Sequence, residues 1–126
     1  MRDHPPSIDR ITGFLDRSSC LHAVNERLAA GAPKLPILCA LWLDIDRFLQ
    51  INESFGHQAG DEVITRVAER IRMTICRDDC LLARVGSDEF VAVFNVPDRA
   101  AAERVGRTLL SAIEQPLRID ELLIHP

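Results

Sequence analysis

The 126 residues carry 15 Lys and Arg against 19 Asp and Glu, a net charge of −4, and 47% are hydrophobic, which suits one soluble domain with a single core. That charge excludes a nucleic-acid backbone as partner, because tracking phosphates needs a basic stripe, and the lack of any apolar run near ~20 residues excludes a membrane-spanning segment in this chain. The charged, Pro-containing start is not a secretory signal, and Cys20, Cys39, Cys76 and Cys80 lack paired C-x-x-C spacing, which points to a reducing cytoplasm.

Residues 1–10 read as an N-terminal linker. Ser18 or Ser19 can cap a first helix, with Leu21, Val24 and Leu28 at helical spacing and Gly31 with Pro33 to end it. Leu35 to Leu43 is an almost unbroken apolar run, the pattern of a fully buried central strand, and it stops at Asp44-Ile45-Asp46. Asn52 to Gly60 reads as a loop or irregular helix entry. Asp61 and Glu62 then open a long helix, placing acids at its positive end, and Val63, Ile64, Val67, Ile71 and Ile75 form its apolar stripe.

Two strands follow, Leu81 to Val85 and Phe90 to Phe94, around Gly86-Ser87-Asp88-Glu89: a hairpin with an acidic tip. Pro97-Asp98 begins another helix with Val105, Leu109 and Ile113 inward, and Pro116 ends it. Leu117–Ile119 and Leu122–Ile124 form a last hairpin around Asp120-Glu121. This β-α-β-β-α-β order predicts an α+β, ferredoxin-like mixed sheet flanked by helices.

Carboxylates at two strand ends are hard oxygen donors that suit Mg²⁺ or Mn²⁺. Gly, Ser and Asp are also ordinary residues of a solvated turn, so the hairpin alone leaves both readings open. The chain supplies no rival metal set, since His4, His22, His57 and His125 are scattered. Asp46 is either an acceptor that orients metal ligands or a cap of the following turn. Trp42, Phe48 and Phe55 read as core or loop packing, Arg84 as a strand-edge charge, His57 as a loop brace, and Cys76 with Cys80 as an accidental pair.

Four segments carry a family resemblance: Ile11-Thr12-Gly13-Phe14-Leu15-Asp16-Arg17, Asp44-Ile45-Asp46-Arg47-Phe48, Asn52 through Asp61 (N-E-S-F-G-H-Q-A-G-D), and Gly86-Ser87-Asp88-Glu89-Phe90. In order and spacing they resemble L-T-G-L-x-N-R, D-x-D-x-F, N-D-x-x-G-H-x-x-G-D and the signature turn of GGDEF domains, the diguanylate cyclase family. The resemblance implies that residues 11–126 are a GGDEF domain, that two GTP molecules are joined into cyclic di-GMP with loss of pyrophosphate in bacterial second-messenger signalling, and that two protomers, each holding one GTP, must meet. It implies Mg²⁺ or Mn²⁺ held by Asp44, the Ile45 carbonyl and Asp88, with Asp88 or Glu89 assisting the attacking 3′-hydroxyl. Gly86 and Ser87 would lie near the phosphates. Asn52 and Asp61 would read guanine, whose N1–H and 2-amino donors match an amide and a carboxylate; on the residues alone both can also be helix or turn caps.

Departures from the family pattern bear on activity. Ser87 stands where the signature has its second glycine, and a positive φ there would cost conformational energy. Leu49 replaces a Lys thought to stabilise charge on the reacting phosphates, a loss of a few kcal/mol by analogy with removing one oxyanion donor, about 3–4 kcal/mol. Arg77-Asp78-Asp79-Cys80 matches the R-x-x-D of product-inhibited members with Cys in place of the Asp, which predicts no inhibitory site. The resemblance covers about the first three-quarters of a family domain: a further strand, a helix with a Lys and an Arg for the triphosphate, and a closing strand would follow. The chain by itself is therefore expected to be inactive, and the parent protein to carry neighbouring sensor or phosphodiesterase domains. The other outcome implied is a degenerate module that binds GTP and regulates such a neighbour.

Overall fold

The computed structural model describes residues 7–30, 37–75, 80–119 and the backbone of 122–124. The first helix, α1 (Arg17–Ala29), is capped by Asp16, whose carboxylate accepts the Ser19 N–H at 2.9 Å. Either serine was the expected cap; Asp16 takes the role because it precedes the first helical residue in extended backbone. Leu21 and Leu28 are each 62% exposed rather than turned inward, and Ser19 and Cys20 are the buried residues. Gly31 and Pro33 lie outside the described residues.

Strand β1 (Ile37–Asp44) pairs antiparallel with β3 (Glu89–Val96), which pairs antiparallel with β2 (Leu81–Arg84), in the order β1-β3-β2. A parallel bridge from Leu15 to Ala83 makes the sheet mixed; it is built by Leu15 N–H to the Leu82 carbonyl at 3.0 Å and Arg84 N–H to the Leu15 carbonyl at 2.9 Å. The middle strand is β3, buried from Phe90 through Val96. This corrects the reading of β1 as central and fully buried. Among the described residues β1 is an edge strand whose Ala40, Trp42 and Asp44 are exposed and whose Leu41 and Leu43 are half-buried. An apolar run does not say whether both faces are covered, and here one is not.

Asn52 is not in a loop: α2 (Phe48–Phe55) and α3 (His57–Thr74) follow β1 with only Gly56 between them. Gly56 has φ 90° and ψ 162°, a region open to glycine alone, so the chain can turn between two helices in one residue. Because α3 starts at His57, Asp61 lies past its first turn, and no acid stands in that turn.

The expected stripe holds, with Val63, Ile64, Val67 and Ile71 at 0–1% exposure and Ile75 at 5%. These residues meet Phe90, Phe94 and, from α4 (Arg99–Ile113), Leu109 and Ile113 in one core. Each fully buried side chain of this size contributes roughly 1.5–3 kcal/mol relative to exposure.

Asp98 caps α4 by accepting the Ala101 N–H at 2.8 Å. At the other end, Arg70 of α3 donates to the carbonyls of Ile113 and Pro116, each at 3.0 Å, and to that of Gln115. A cation at a helix C-terminus satisfies carbonyls that have no partner within the helix. Burial, then the neighbouring Arg66, lowers the Arg70 pKa. Strands β4 (Leu117–Ile119) and β5 (Leu122–Ile124) form the expected final hairpin. Element order and sheet match the ferredoxin-like expectation.

Candidate active site

The end of β1 and the turn between β2 and β3 are joined in register. Asp44 pairs with Glu89 across the strands, Ile45 N–H donates to the Asp88 carbonyl at 3.1 Å, and Val85 N–H closes the turn onto the Glu89 carbonyl at 2.9 Å. Four carboxylates therefore crowd one sheet end. Desolvation, then Asp88 by charge and hydrogen bond, then Glu89 and Asp46, raise the Asp44 pKa above the ordinary carboxylate value. Asp44 is an exposed residue, so its acidic neighbours, rather than deep burial, set it apart.

Among the described residues no three acid, His or Cys side chains converge as a ready metal shell. The donor chemistry nevertheless fits a hard divalent cation, whose charge would relieve the repulsion that Asp44 registers. A cavity of about 90 Å³ opens beside Asp44, Ile45 and Asp46, floored by Val67 and Phe90. That is well below the ~300 Å³ at which small-molecule pockets begin.

Gly86 matters for what it lacks: a Cβ there would collide with the Glu89 carboxylate Oε1. Ser87 is exposed and is not at positive φ, Arg47 being the one described non-glycine residue that is (φ 59°). The serine therefore brings no left-handed strain to the turn. Leu49 is 69% exposed.

Asn52 lies on α2, where that helix meets α3. Its side chain rests against Gly60, where a Cβ would overlap Asn52 Oδ1, and that oxygen is buried without a hydrogen bond. Asp61 is exposed on α3, its backbone carbonyl accepting from Thr65 Oγ1 at 3.0 Å. His57 is exposed too. The structure thus brings Asp44, Ile45, Asp88 and Glu89 together with Gly86 and Ser87, and sets Asn52 against Gly60, the residue before the exposed Asp61.

Two residues matter here beyond what the sequence suggested. Arg84, the last residue of the outer strand β2, is more than a surface charge: its Nη1 meets Asp9 Oδ1 at 3.1 Å and its Nη2 donates to the Ser87 carbonyl at 2.6 Å, with the side chain only 13% exposed. It ties the signature turn to the segment before α1. Burial raises the Asp9 pKa, but hydrogen bonds from the Thr12 hydroxyl and N–H, with Arg84, outweigh it and leave a net lowering. Trp42, read as packing, is 61% exposed and donates its indole N–H to Glu89 Oε2 at 3.3 Å. An Arg within an apolar strand was the available signal for the first, since a half-buried charge requires a partner; Trp42 offered none. The N-terminal segment is anchored further by Phe14, edge-on to Phe90 at 6.0 Å, with Arg72 stacked 5.0 Å from the Phe14 ring. Arg77 to Asp79 lie outside the described residues.

A ferredoxin-like α+β domain with acids at adjacent strand ends is the class that these features define. The chain belongs to the GGDEF family: residues 7–125 match the family described as diguanylate cyclase, GGDEF domain. It is 38% identical over 120 residues to the diguanylate cyclase TpbB of Pseudomonas aeruginosa, covering 94% of this chain and 27% of that protein. It is also 38% identical over 79 residues to the bifunctional diguanylate cyclase/cyclic di-GMP phosphodiesterase MucR of the same species, covering 63% of this chain and 11% of MucR. The solved TpbB fragment comprising only the GGDEF domain superposes with a TM-score of 0.75 at 30% identity, covering 94% of this chain and 70% of that one. The chain therefore spans about a quarter or less of the length of these two curated relatives. No described helix is long and apolar enough to cross a membrane.

Proposed function

We propose that this domain condenses two GTP molecules into cyclic di-GMP, releasing two pyrophosphates, with a second copy of the domain supplying the other nucleotide. The observation that carries the reading is the crowding of Asp88, Glu89 and Asp46 on Asp44, which leaves a concentrated negative site with a use for a cation. Asp44, the Ile45 carbonyl and Asp88 would hold Mg²⁺ or Mn²⁺. When bound, the ion neutralises triphosphate charge and polarises the attacked phosphorus. Asp88 or Glu89 accepts the proton of the 3′-hydroxyl as that oxygen attacks the α-phosphate of the facing nucleotide, and pyrophosphate departs; the reciprocal attack closes the ring. The backbone of Gly86 and Ser87 would lie close to the phosphates.

Guanine recognition falls to Asn52 and Asp61. The Asn52 amide, held against Gly60, would read the guanine edge with polar groups that an adenine edge does not match. Asp61 accepts from the remaining donors on that edge. In a cell this activity belongs to the cytoplasm, with neighbouring sensor or phosphodiesterase domains as partners.

A second reading is favoured by Leu49 and Ser87 standing where the family has a cation and a glycine: a module that binds GTP without turnover and regulates an adjacent domain such as a cyclic di-GMP phosphodiesterase. Both readings require metal-dependent GTP binding. Thermal shift tests it: GTP with Mg²⁺ should raise the melting temperature, ATP should not, and Asp61→Ala should abolish the rise. No shift with GTP, or an equal shift with ATP, contradicts both.

A further inference from the structure

Trp42 is the single tryptophan of the chain, which contains no tyrosine. Strand register places Trp42 opposite Val91 and Asp44 opposite Glu89, so these four residues share one face of the sheet. Directly opposed like charges, as in the Asp44–Glu89 pair, destabilise antiparallel strands. Into this group the indole brings an N–H that only donates, directed at Glu89 Oε2. The other carboxylate oxygen of Glu89 occupies the space that Gly86 leaves open. Glu89 is thus held from two sides, by a donor and by the missing side chain of Gly86.

We propose that Trp42 is a positioning residue: its indole N–H fixes the orientation of the Glu89 carboxylate at the sheet end, keeping it turned toward the place where a divalent cation and a triphosphate would sit. The identity of that ligand rests on the proposed function. The hydrogen bond itself does not. Because Trp42 is 61% exposed, replacing it removes little core packing, and a loss of function in Trp42→Phe reads the donor rather than the fold.

A single tryptophan gives a single indole resonance in a ¹H–¹⁵N correlation spectrum, a direct reporter of the bond. Glu89→Ala should move the indole proton upfield and speed its exchange with water; an indole resonance and exchange rate unchanged by Glu89→Ala overturn the proposal. Mn²⁺ binding in the presence of GTP, followed by electron paramagnetic resonance of the free ion, tests the consequence. Trp42→Phe should weaken it about threefold, the low end of the net worth of a single hydrogen bond, as suits one exposed to solvent, and should add nothing in a Glu89→Ala background. Wild-type affinity in Trp42→Phe while Glu89→Ala is weakened also overturns it. A wild-type protein that binds no Mn²⁺ contradicts the proposed function, and the indole comparison then decides by itself whether Trp42 holds Glu89.

Discussion

At Gly60 the helix α3 approaches the Asn52 side chain so closely that any β-carbon would overlap its amide oxygen. Gly60→Ala should therefore expel Asn52 from its place, at a stability cost of about 1–3 kcal/mol by overpacking. GTP affinity should fall with it, as measured by calorimetry, whereas alanine at the exposed Gln58 of the same helix should leave affinity unchanged. The glycine was visible in the sequence as part of a motif; the reason for it was not, because it depends on α2 and α3 being juxtaposed. Asp9 and Arg84 carry a second prediction. Since the folded-state pKa of Asp9 is lowered, its ionised form adds stability that is complete above the unfolded value of about 4 and is lost as pH falls through the lower folded value. The urea midpoint should drop more steeply between pH 5 and pH 3 in the wild type than in Asp9→Asn. That pair spans 75 positions, a separation across which residue types alone assign no partners.

Among the elements, α3 and α4 were legible because their apolar residues recur at helical period and are buried as that period requires. The hairpin bearing the acids was legible from two apolar segments around a turn. Helix α2 was missed: eight residues containing Asn, Glu and Ser resemble a loop, and its burial of Phe48 and Ile51 becomes apparent only once α3 lies against it. Strand β1 was recognised but misplaced, since an apolar edge strand and a central one read alike. The end of α4 depends on Arg70, a residue of another helix, which donates to the last helical carbonyl, that of Ile113, and to that of Pro116 just beyond it. Arg70→Ala should cost roughly 1.5–3 kcal/mol in urea unfolding, the range for hydrogen bonds involving a charged group. Amide exchange should accelerate first around Leu117 to Ile119. If those amides exchange at wild-type rates, Arg70 does not hold this end of the domain.

For the whole molecule, the acids come from two segments 44 positions apart, Asp44 and Asp88, that the sheet joins, whereas the guanine-reading candidates Asn52 and Asp61 sit on the successive helices α2 and α3. Motif order announced that arrangement; its geometry, including the hold of Arg84 on the Ser87 carbonyl and of Trp42 on Glu89, had to be seen. Because each domain binds one GTP in this account, activity per mole of protein should rise with protein concentration until the paired state saturates. The decisive measurement is chromatography of nucleotides after the longest form of the protein carrying this domain is incubated with GTP and Mg²⁺ or Mn²⁺, beside Asp88→Ala. The proposed reaction requires cyclic di-GMP and pyrophosphate from the wild type and neither from the variant. Metal-dependent GTP binding without any cyclic di-GMP would contradict it and leave a nucleotide-sensing module.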